Sequence, residues 1–432
     1  MTALTVALNG FEVGTLFSDG TGAMSFQYKD EWLLLDGARA ISLSIPLSSQ
    51  RYGGKEVFNF FDNLLPDSDA VIARIQMRFK VQSKHPFDLL ASVGRDCVGA
   101  IQLYPEGADI PSVSNMVGEP LNDDAITELL EGYQSAPLGM TGRDDFRISL
   151  AGAQEKTALL WHQGCWQRPR GSTPTSHIFK LPIGRIEQNN IDLSESCENE
   201  WLCLKIAKAF GLPVANVELA TFGKLKVLIV ERFDRRWSSD GSWLMRLPQE
   251  DFCQALGIAP ALKYESDGGP GIADAMKLLL GSLQPTQDRE TFFKSQILFW
   301  LLAAIDGHGK NFSIFIQPES AYKMTPLYDV LSAYPIFATK GIAPKKAKMA
   351  MALRGKNRQY NWAYIQPRHF SSTAQHVEFS TETAESLMKQ MGEMSGAVID
   401  QVARELPKDF PGNISEPIFE GLDKQAKKLR AG

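Results

Sequence analysis

The sequence predicts an α+β protein of two lobes, a mixed, β-rich N-terminal lobe followed by a mostly helical C-terminal lobe. Three observations carry that expectation. The chain has 432 residues, too many for one compact core. As far as about residue 231, short apolar runs alternate with turn residues, the pattern of strands and hairpins. Beyond residue 250 the apolar spacing is mainly helical, broken by the Gly-rich stretch Ser266–Gly271.

The elements follow in order. TVALNGFEVGTLF holds two apolar runs around Asn9-Gly10, a hairpin signal. FNFFDNLLPDS predicts a helix over Phe58–Leu65, stopped by Pro66. Asn122–Tyr133 places Ile126, Leu129 and Leu130 at helical spacing. Thr157–Trp161 is an apolar strand, HQGCWQRPRGSTPTS a polar loop, and His177–Leu181 an alternating strand carrying Lys180. Glu200–Gly211 reads as an amphipathic helix with a glycine C-cap, and Leu225–Val230 as a further strand. The expected divisions are a β-rich subdomain over 1–105, the rest of the first lobe over 106–236, and the helical lobe over 237–432.

Composition narrows the function. Hydrophobic residues make up 44% and charged residues 22%, with a net charge of −5, so the chain as a whole is not a polyanion binder. No basic leader precedes an apolar region, and the run Ile297–Ile305 is too short to span a bilayer. Five cysteines are scattered without a CxxC spacing, and six histidines are dispersed. The expectation is a cytoplasmic protein, with no membrane partner, whose metal would be held by carboxylates and phosphates rather than by His or Cys.

Four segments stand in the order that phosphoryl transfer requires. Ser149–Lys156 (SLAGAQEK) is a loop of small residues before a strand, where backbone N–H groups can approach phosphate oxygens. Lys180 lies in an apolar strand just after it, where a kinase places the lysine that pairs with ATP phosphates. ILFWLLAAI leads into Asp306-Gly-His-Gly-Lys-Asn311, which has the D-x-x-x-x-N spacing of a kinase catalytic loop. A chain of this composition holds about one such pair by chance, so the buried helix delivering the loop carries the argument. Asp329 follows 23 residues after Asp306, where kinases place a second Mg²⁺-ligating aspartate, although Val330-Leu331 stand in place of Phe-Gly. On this reading Asp306 accepts the acceptor hydroxyl's proton, and Asn311 and Asp329 hold Mg²⁺.

These residues, with FNFFDNLLPDS, FRISLAGAQEKTALL, VERFDRRW, KYESDGGPGIA and DGHGKNFSIFIQ, resemble the HipA serine/threonine kinase toxins, from the N-terminal hairpin to about residue 410. The resemblance implies a two-lobed, protein kinase-like fold and a non-specific serine/threonine protein kinase of a type II toxin–antitoxin module. It implies Asp306 as the catalytic base, Asn311 and Asp329 as Mg²⁺ ligands, and Lys180 as the ATP-phosphate lysine. Glu231 and Phe233 would form the hinge for adenine. Ala151, Gly152, Ala153, Gln154, Gln249, His308, Lys310 and Tyr328 would lie at or beside the nucleotide. Ser149 matches an autophosphorylated serine whose modification ejects the phosphate loop and silences the kinase. Placing roughly −1.5 to −2 charges beside a site built for ATP should open that loop. Glu200 is a candidate partner for Lys180, and a helix N-terminal acid serves the position equally well. The implied partners are a HipB-like helix-turn-helix antitoxin, operator DNA through that antitoxin, and glutamyl-tRNA synthetase as the substrate whose phosphorylation arrests growth and produces persistence.

One tract stands apart from the resemblance. Between Val330 and Val377 there is no Asp or Glu, while Lys340, Lys345, Lys346, Lys348, Arg354, Lys356, Arg358 and Arg368 are all cationic. Lys345, Lys346, Lys348 and Arg354 are therefore expected to face nucleic acid, with a solvated basic loop as the alternative. Two other functions compete with the kinase: a catalytically dispensable co-repressor stabilising an antitoxin–DNA complex, and a small-molecule phosphotransferase of the aminoglycoside type. Intact Asp306, Asn311, Asp329 and Lys180 argue against the first. Overall similarity to the HipA kinases disfavours the second.

Overall fold

The computed structural model describes residues 2–135, 149–152, 154–186 and 191–431. Ala153, expected at the nucleotide, lies outside the described residues. The chain divides into two compact units, one of Met1–Leu181, Ala220–Ala261 and Ser313–Tyr322, the other of Pro182–Leu219, Leu262–Phe312 and Lys323–Gly432.

The first unit opens with the expected hairpin, Thr2–Leu8 against Phe11–Ser18, turned at Asn9 (φ +46°) and Gly10 (φ +89°). Both central residues of a type I′ turn need positive φ, which is why Asn-Gly marks it. Met24–Tyr28, Tyr52–Gly53 and Ile101–Pro105 complete a five-stranded sheet. Its core joins Val6, Leu16 and Phe26 to Phe60 and Phe61 of a helix. That helix runs Lys55–Asp62, starting and ending three residues before the expected span. Pro66 is not its stop. A tighter turn already ends it, with Leu64 and Leu65 donating to Phe61 and Asp62.

A second sheet of six strands has the order Val217–Phe222, Leu225–Glu231, His177–Lys180, Lys156–His162, Cys165–Pro169, Gly118–Leu121. The strand Cys165–Pro169 corrects the polar-loop expectation for 162–176. A two-residue turn with Gln163 at φ +53° and Gly164 at φ +78° folds it onto its neighbour. Its one large apolar residue, Trp166, packs edge-on against Phe179 at 4.9 Å, too little apolar content to announce a strand. The helix Asp123–Ser135 carries the expected Ile126, Leu129 and Leu130 into a core with Leu159, Phe179, Val227 and Ile229.

VERFDRRW builds a buried charge cluster in the same unit. Asp96 receives Arg235 and Arg246, each at 2.9 Å, and the Thr175 hydroxyl at 2.7 Å, while Arg232 pairs with Asp234 at 2.8 Å. Burial pushes the Asp96 carboxyl up, but Arg235, Arg246 and Arg232 together outweigh it and hold Asp96 far below the ordinary carboxylate range.

In the second unit the helix over Ser196–Ala209 begins four residues earlier than expected. It is buried on nearly every side rather than amphipathic, and it ends as expected at Gly211, whose N–H donates to Lys208 while Leu212 donates to Ala207. The helix Pro285–Leu301 is buried on all faces from Ser295 to Leu301. It is the scaffold of the site. Thr381–Glu405 and Gly412–Ala431 are long amphipathic helices of the same unit. Among the described residues no helix is long and apolar enough to cross a membrane.

Candidate active site

The buried helix does not run into Asp306. It ends at Leu301, and the chain reverses at Ala303, which adopts φ +49°. Ala303 donates to the Trp300 carbonyl and Ala304 to that of Phe299, the paired bonds of a Schellman cap. Alanine in a left-handed conformation is uncommon, so neighbours must hold it there. They are identifiable. The carbonyls at the helix end also accept from side chains: Trp300 from Trp362 Nε1 (2.9 Å), Leu301 from the Tyr334 hydroxyl (2.9 Å), and Leu302 from the Ser332 hydroxyl (2.6 Å). Ala333 donates to the Ala303 carbonyl. The segment just after Asp329 therefore closes the helix that just precedes Asp306.

This shared closure brings the two expected acidic residues together. Asn311 Nδ2 donates to the backbone carbonyl of Asp306 (3.0 Å) and that of Asp329 (3.4 Å). With Nδ2 committed to these carbonyls, the amide oxygen is the atom left for a cation. Asp329 adopts φ +58°, a left-handed conformation that aspartate tolerates and that recurs at functional sites. The Tyr328 hydroxyl donates to the Lys310 carbonyl (2.8 Å). His308 and Lys310 are buried and Asp306 is exposed. In this unit the structure thus assembles Asp306, His308, Lys310, Asn311, Tyr328 and Asp329.

The first unit assembles the other set. Lys180 is buried at 6% exposure, and its direct cross-strand partner is Lys156. Lys156 Nζ donates to the Ala151 carbonyl at 2.6 Å, so the second lysine is bonded to the loop that precedes its own strand. Sequence reasoning passed over Lys156, although counting the pairing of its strand onto the Lys180 strand would have found it. Glu231 ends the neighbouring strand and is exposed. The Phe233 ring meets Phe315 edge-on at 5.8 Å, and Gln249 pairs with Phe315 through the backbone.

Ser149 and Gly152, of the loop expected to meet phosphate, are docked on the residues that follow the helix Lys55–Asp62. Ser149 is fully buried, its hydroxyl donating to the Leu64 carbonyl (2.7 Å) and its N–H to that of Asp96 (3.1 Å). Gly152 bridges Pro66 and accepts from Asp67 N–H (3.2 Å), and Gln154 reaches the Leu181 carbonyl. Glu155 pairs with Arg74 at 2.6 Å. FNFFDNLLPDS is thereby the platform of the loop. Glu200, on the helix Ser196–Ala209 of the second unit, is 1% exposed.

Each unit, taken by itself, has groups whose chemistry suits one part of a nucleotide–metal ligand: oxygens for a hard cation in the second, and an unpartnered acceptor in the first. Asn311 and Asp329 supply oxygen ligands, the donor set of a hard cation. Gln249 Oε1 is buried without a hydrogen-bond partner, an acceptor suited to a donor such as an exocyclic amine. Among the described residues no group of three or more His, Cys, Asp and Glu could hold a metal.

Lys345, Lys346 and Lys348 are exposed and Arg354 is half-buried, on a short turn and the hairpin Lys348–Arg354/Arg358–Asn361. Arg358 pairs with Glu265 at 3.4 Å. No ion pair ties the other seven cations of the tract among the described residues.

A mixed β-rich unit with a buried lysine, and a helical unit with a D-x-x-x-x-N loop bonded to a second aspartate, define a protein kinase-like α+β fold. Residues 148–399 match the HipA-like C-terminal domain and residues 4–104 the HipA N-terminal domain. The chain belongs to the HipA family of kinases. It is 35% identical over 343 residues to the protein Y4mE of Sinorhizobium fredii, spanning 78% of this chain and 79% of that protein. It is 29% identical over 341 residues to the serine/threonine-protein kinase toxin HipA of Shewanella oneidensis, spanning 76% of this chain and 75% of the relative. The solved structure of the Shewanella oneidensis toxin–antitoxin system, HipA and HipB with operator DNA, contains a chain that superposes with a TM-score of 0.80. That match has 22% identity and covers 99% of both chains.

Proposed function

We propose that this chain is an ATP- and Mg²⁺-dependent serine/threonine protein kinase and the toxin of a toxin–antitoxin module. The observation that carries the reading is the bonding of Asn311 to the carbonyls of both Asp306 and Asp329, which sets a base and two oxygen ligands in one frame. Bound ATP and Mg²⁺ supply the phosphoryl group and neutralise the charge that develops on it. Asp306 takes the proton of the acceptor hydroxyl as its oxygen bonds to the γ-phosphorus, the bond to the β,γ-bridging oxygen breaks, and ADP leaves. Lys180 and Lys156 hold phosphate oxygens, and Glu231, Phe233 and Gln249 hold the base.

Ser149 is the site of self-silencing on this reading. Its burial means that phosphorylation must follow release of the loop, and a phosphate could not return to a pocket lined by the Leu64 and Asp96 carbonyls. The partners are a HipB-like antitoxin and operator DNA, supported by the solved complex of the Shewanella relative, and glutamyl-tRNA synthetase as acceptor, which rests on the family resemblance. Lys345, Lys346, Lys348 and Arg354 face nucleic acid.

The test is incubation with ATP and Mg²⁺ after phosphatase treatment, beside Asp306→Gln, with phosphate mapped by intact-mass and peptide mass spectrometry. Phosphate on Ser149 in the wild type alone is expected. No phosphate in either protein, with no ATP binding, would move the reading to a co-repressor.

A further inference from the structure

KYESDGGPGIA is specific enough to mark the family, yet none of its side chains is among those expected to act as base, bind nucleotide or hold Mg²⁺. Lys263 and Tyr264, at its start, contact the Asp306 loop. The backbone carbonyl of Lys263 accepts from Gly309 N–H at 3.1 Å, which ties this segment to the loop. The Tyr264 carbonyl accepts from the N–H groups of Asp267 (3.0 Å) and Gly269 (2.9 Å), closing a tight turn. A Cβ on Gly269 would lie 1.9 Å from the Leu262 carbonyl oxygen, so that turn admits only glycine there. On the far side, Glu265 accepts from Ala352 N–H at 2.6 Å and pairs with Arg358. Tyr264 is thus fixed before its side chain is considered.

The side chain points at the carboxylate. The Tyr264 ring stands edge-on to His308, 5.0 Å between centroids at 83°. Its hydroxyl donates to Asp306 Oδ1 at 2.6 Å. Among the described residues this is the one hydrogen bond that the Asp306 carboxylate takes. Asp306 is otherwise an exposed aspartate at the start of a polar loop, with its rotamers open to it.

We propose that Tyr264 is a positioning residue that holds the Asp306 carboxylate by Oδ1 and so presents Oδ2 to the acceptor hydroxyl. The inference rests on the reading of Asp306 as the base. One carboxylate oxygen is occupied by a donor on a rigid turn, and the other keeps the lone pairs that receive the proton. Misplacing a catalytic group by about 1 Å can cost on the order of 100-fold in rate. The role belongs to the hydroxyl and not to the ring, which makes it separable from folding.

The experiment uses the full chain, phosphatase-treated, with ATP and Mg²⁺ as the probe and the rate of phosphate incorporation by intact mass as the readout. Tyr264→Phe keeps the ring against His308, so its melting temperature should match that of the wild type. Its maximal rate should fall about 10- to 100-fold, with the half-saturating ATP concentration unchanged. In a double-mutant cycle, Tyr264→Phe should cost nothing further in an Asp306→Gln background, because the carboxylate it orients is gone.

Wild-type rate in Tyr264→Phe, with Asp306→Gln inactive, would sink this inference and leave the base reading intact. Full rate in Asp306→Gln would sink both. A parallel loss of rate and ATP affinity in Tyr264→Phe, or an undiminished loss in the double variant, would reduce Tyr264 to a structural residue. Should Asp306→Gln show no turnover at all, the split between rate and half-saturation decides alone.

Discussion

Glu250 makes a titration of the first unit testable. Its carboxyl is fully buried, Oε1 accepts one hydrogen bond from Leu43 N–H at 2.9 Å, and Oε2 has no partner. Burial pushes its pKa from 4.5 up to about 8, the Leu43 N–H and the Ser42 hydroxyl offsetting part of that rise and Asp251 adding to it. The folded protein therefore keeps a proton that the unfolded chain releases above about pH 4.5. The associated stability is complete at low pH and is lost as pH rises through about 8. Between about pH 5.5 and 8.5 the linkage amounts to about 3 kcal/mol, a large part of the roughly 5–15 kcal/mol that holds a domain together.

The perturbation is Glu250→Gln, which cannot titrate. Its amide places a buried donor where Oε2 stands, at a cost of about 1–3 kcal/mol that does not depend on pH. Urea unfolding at the two pH values should show the wild type losing about 3 kcal/mol more than the variant across that interval, with equal m-values. The variant would be the weaker protein at pH 5.5 and equal or stronger at pH 8.5. Parallel pH dependence in the two proteins would refute the argument, since it would mean that Glu250 is charged in the fold or reached by water.

Three further outcomes follow from the second unit. A Cβ on Gly307 would lie 2.3 and 2.4 Å from Phe299 ring carbons, so Gly307→Ala should cost about 1–3 kcal/mol in thermal unfolding and also slow phosphate transfer. Gly396, a helical glycine with nothing within 4 Å of its Cβ, is the contrasting site, and Gly396→Ala should stabilise by about 0.5–1 kcal/mol. Reversing Lys345, Lys346 and Lys348 to Glu should lower affinity for an operator duplex with the antitoxin and flatten the salt dependence by about 3 units of slope. Unchanged operator affinity, salt slope and tRNA-dependent substrate phosphorylation would end the nucleic-acid assignment of that tract.

Much of the architecture was legible because it is local. Asn9-Gly10 states its own turn, Ile126, Leu129 and Leu130 state a helix face, and Gly211 states a helix end. What stayed hidden depended on partners distant in sequence. The strand Cys165–Pro169 looks polar because its neighbours, not its own side chains, supply the apolar contact. Lys156 is one of many lysines until strand pairing sets it opposite Lys180. Tyr264 has no local signature at all, since a tyrosine beside a Gly-rich turn is equally at home on any surface.

The end of the buried helix shows why the spacing from Asp306 to Asp329 could be read while its cause could not. A helix buried on all sides cannot leave its last carbonyls to water, so something must reach them. Ser332, Ala333 and Tyr334 do so, and they lie three to five residues beyond Asp329. Once they are in place, Asp329 has little choice of position, and the Asn311 amide can span both loops. The requirement that forces this closure is a folding requirement, present whether or not a nucleotide ever binds. The site is therefore held by bonds the second unit must make in order to fold. This arrangement explains how Asp306 can be exposed and yet depend on a single side chain, Tyr264, for its direction: the backbone beneath it is already fixed, and only the carboxylate remains to be oriented.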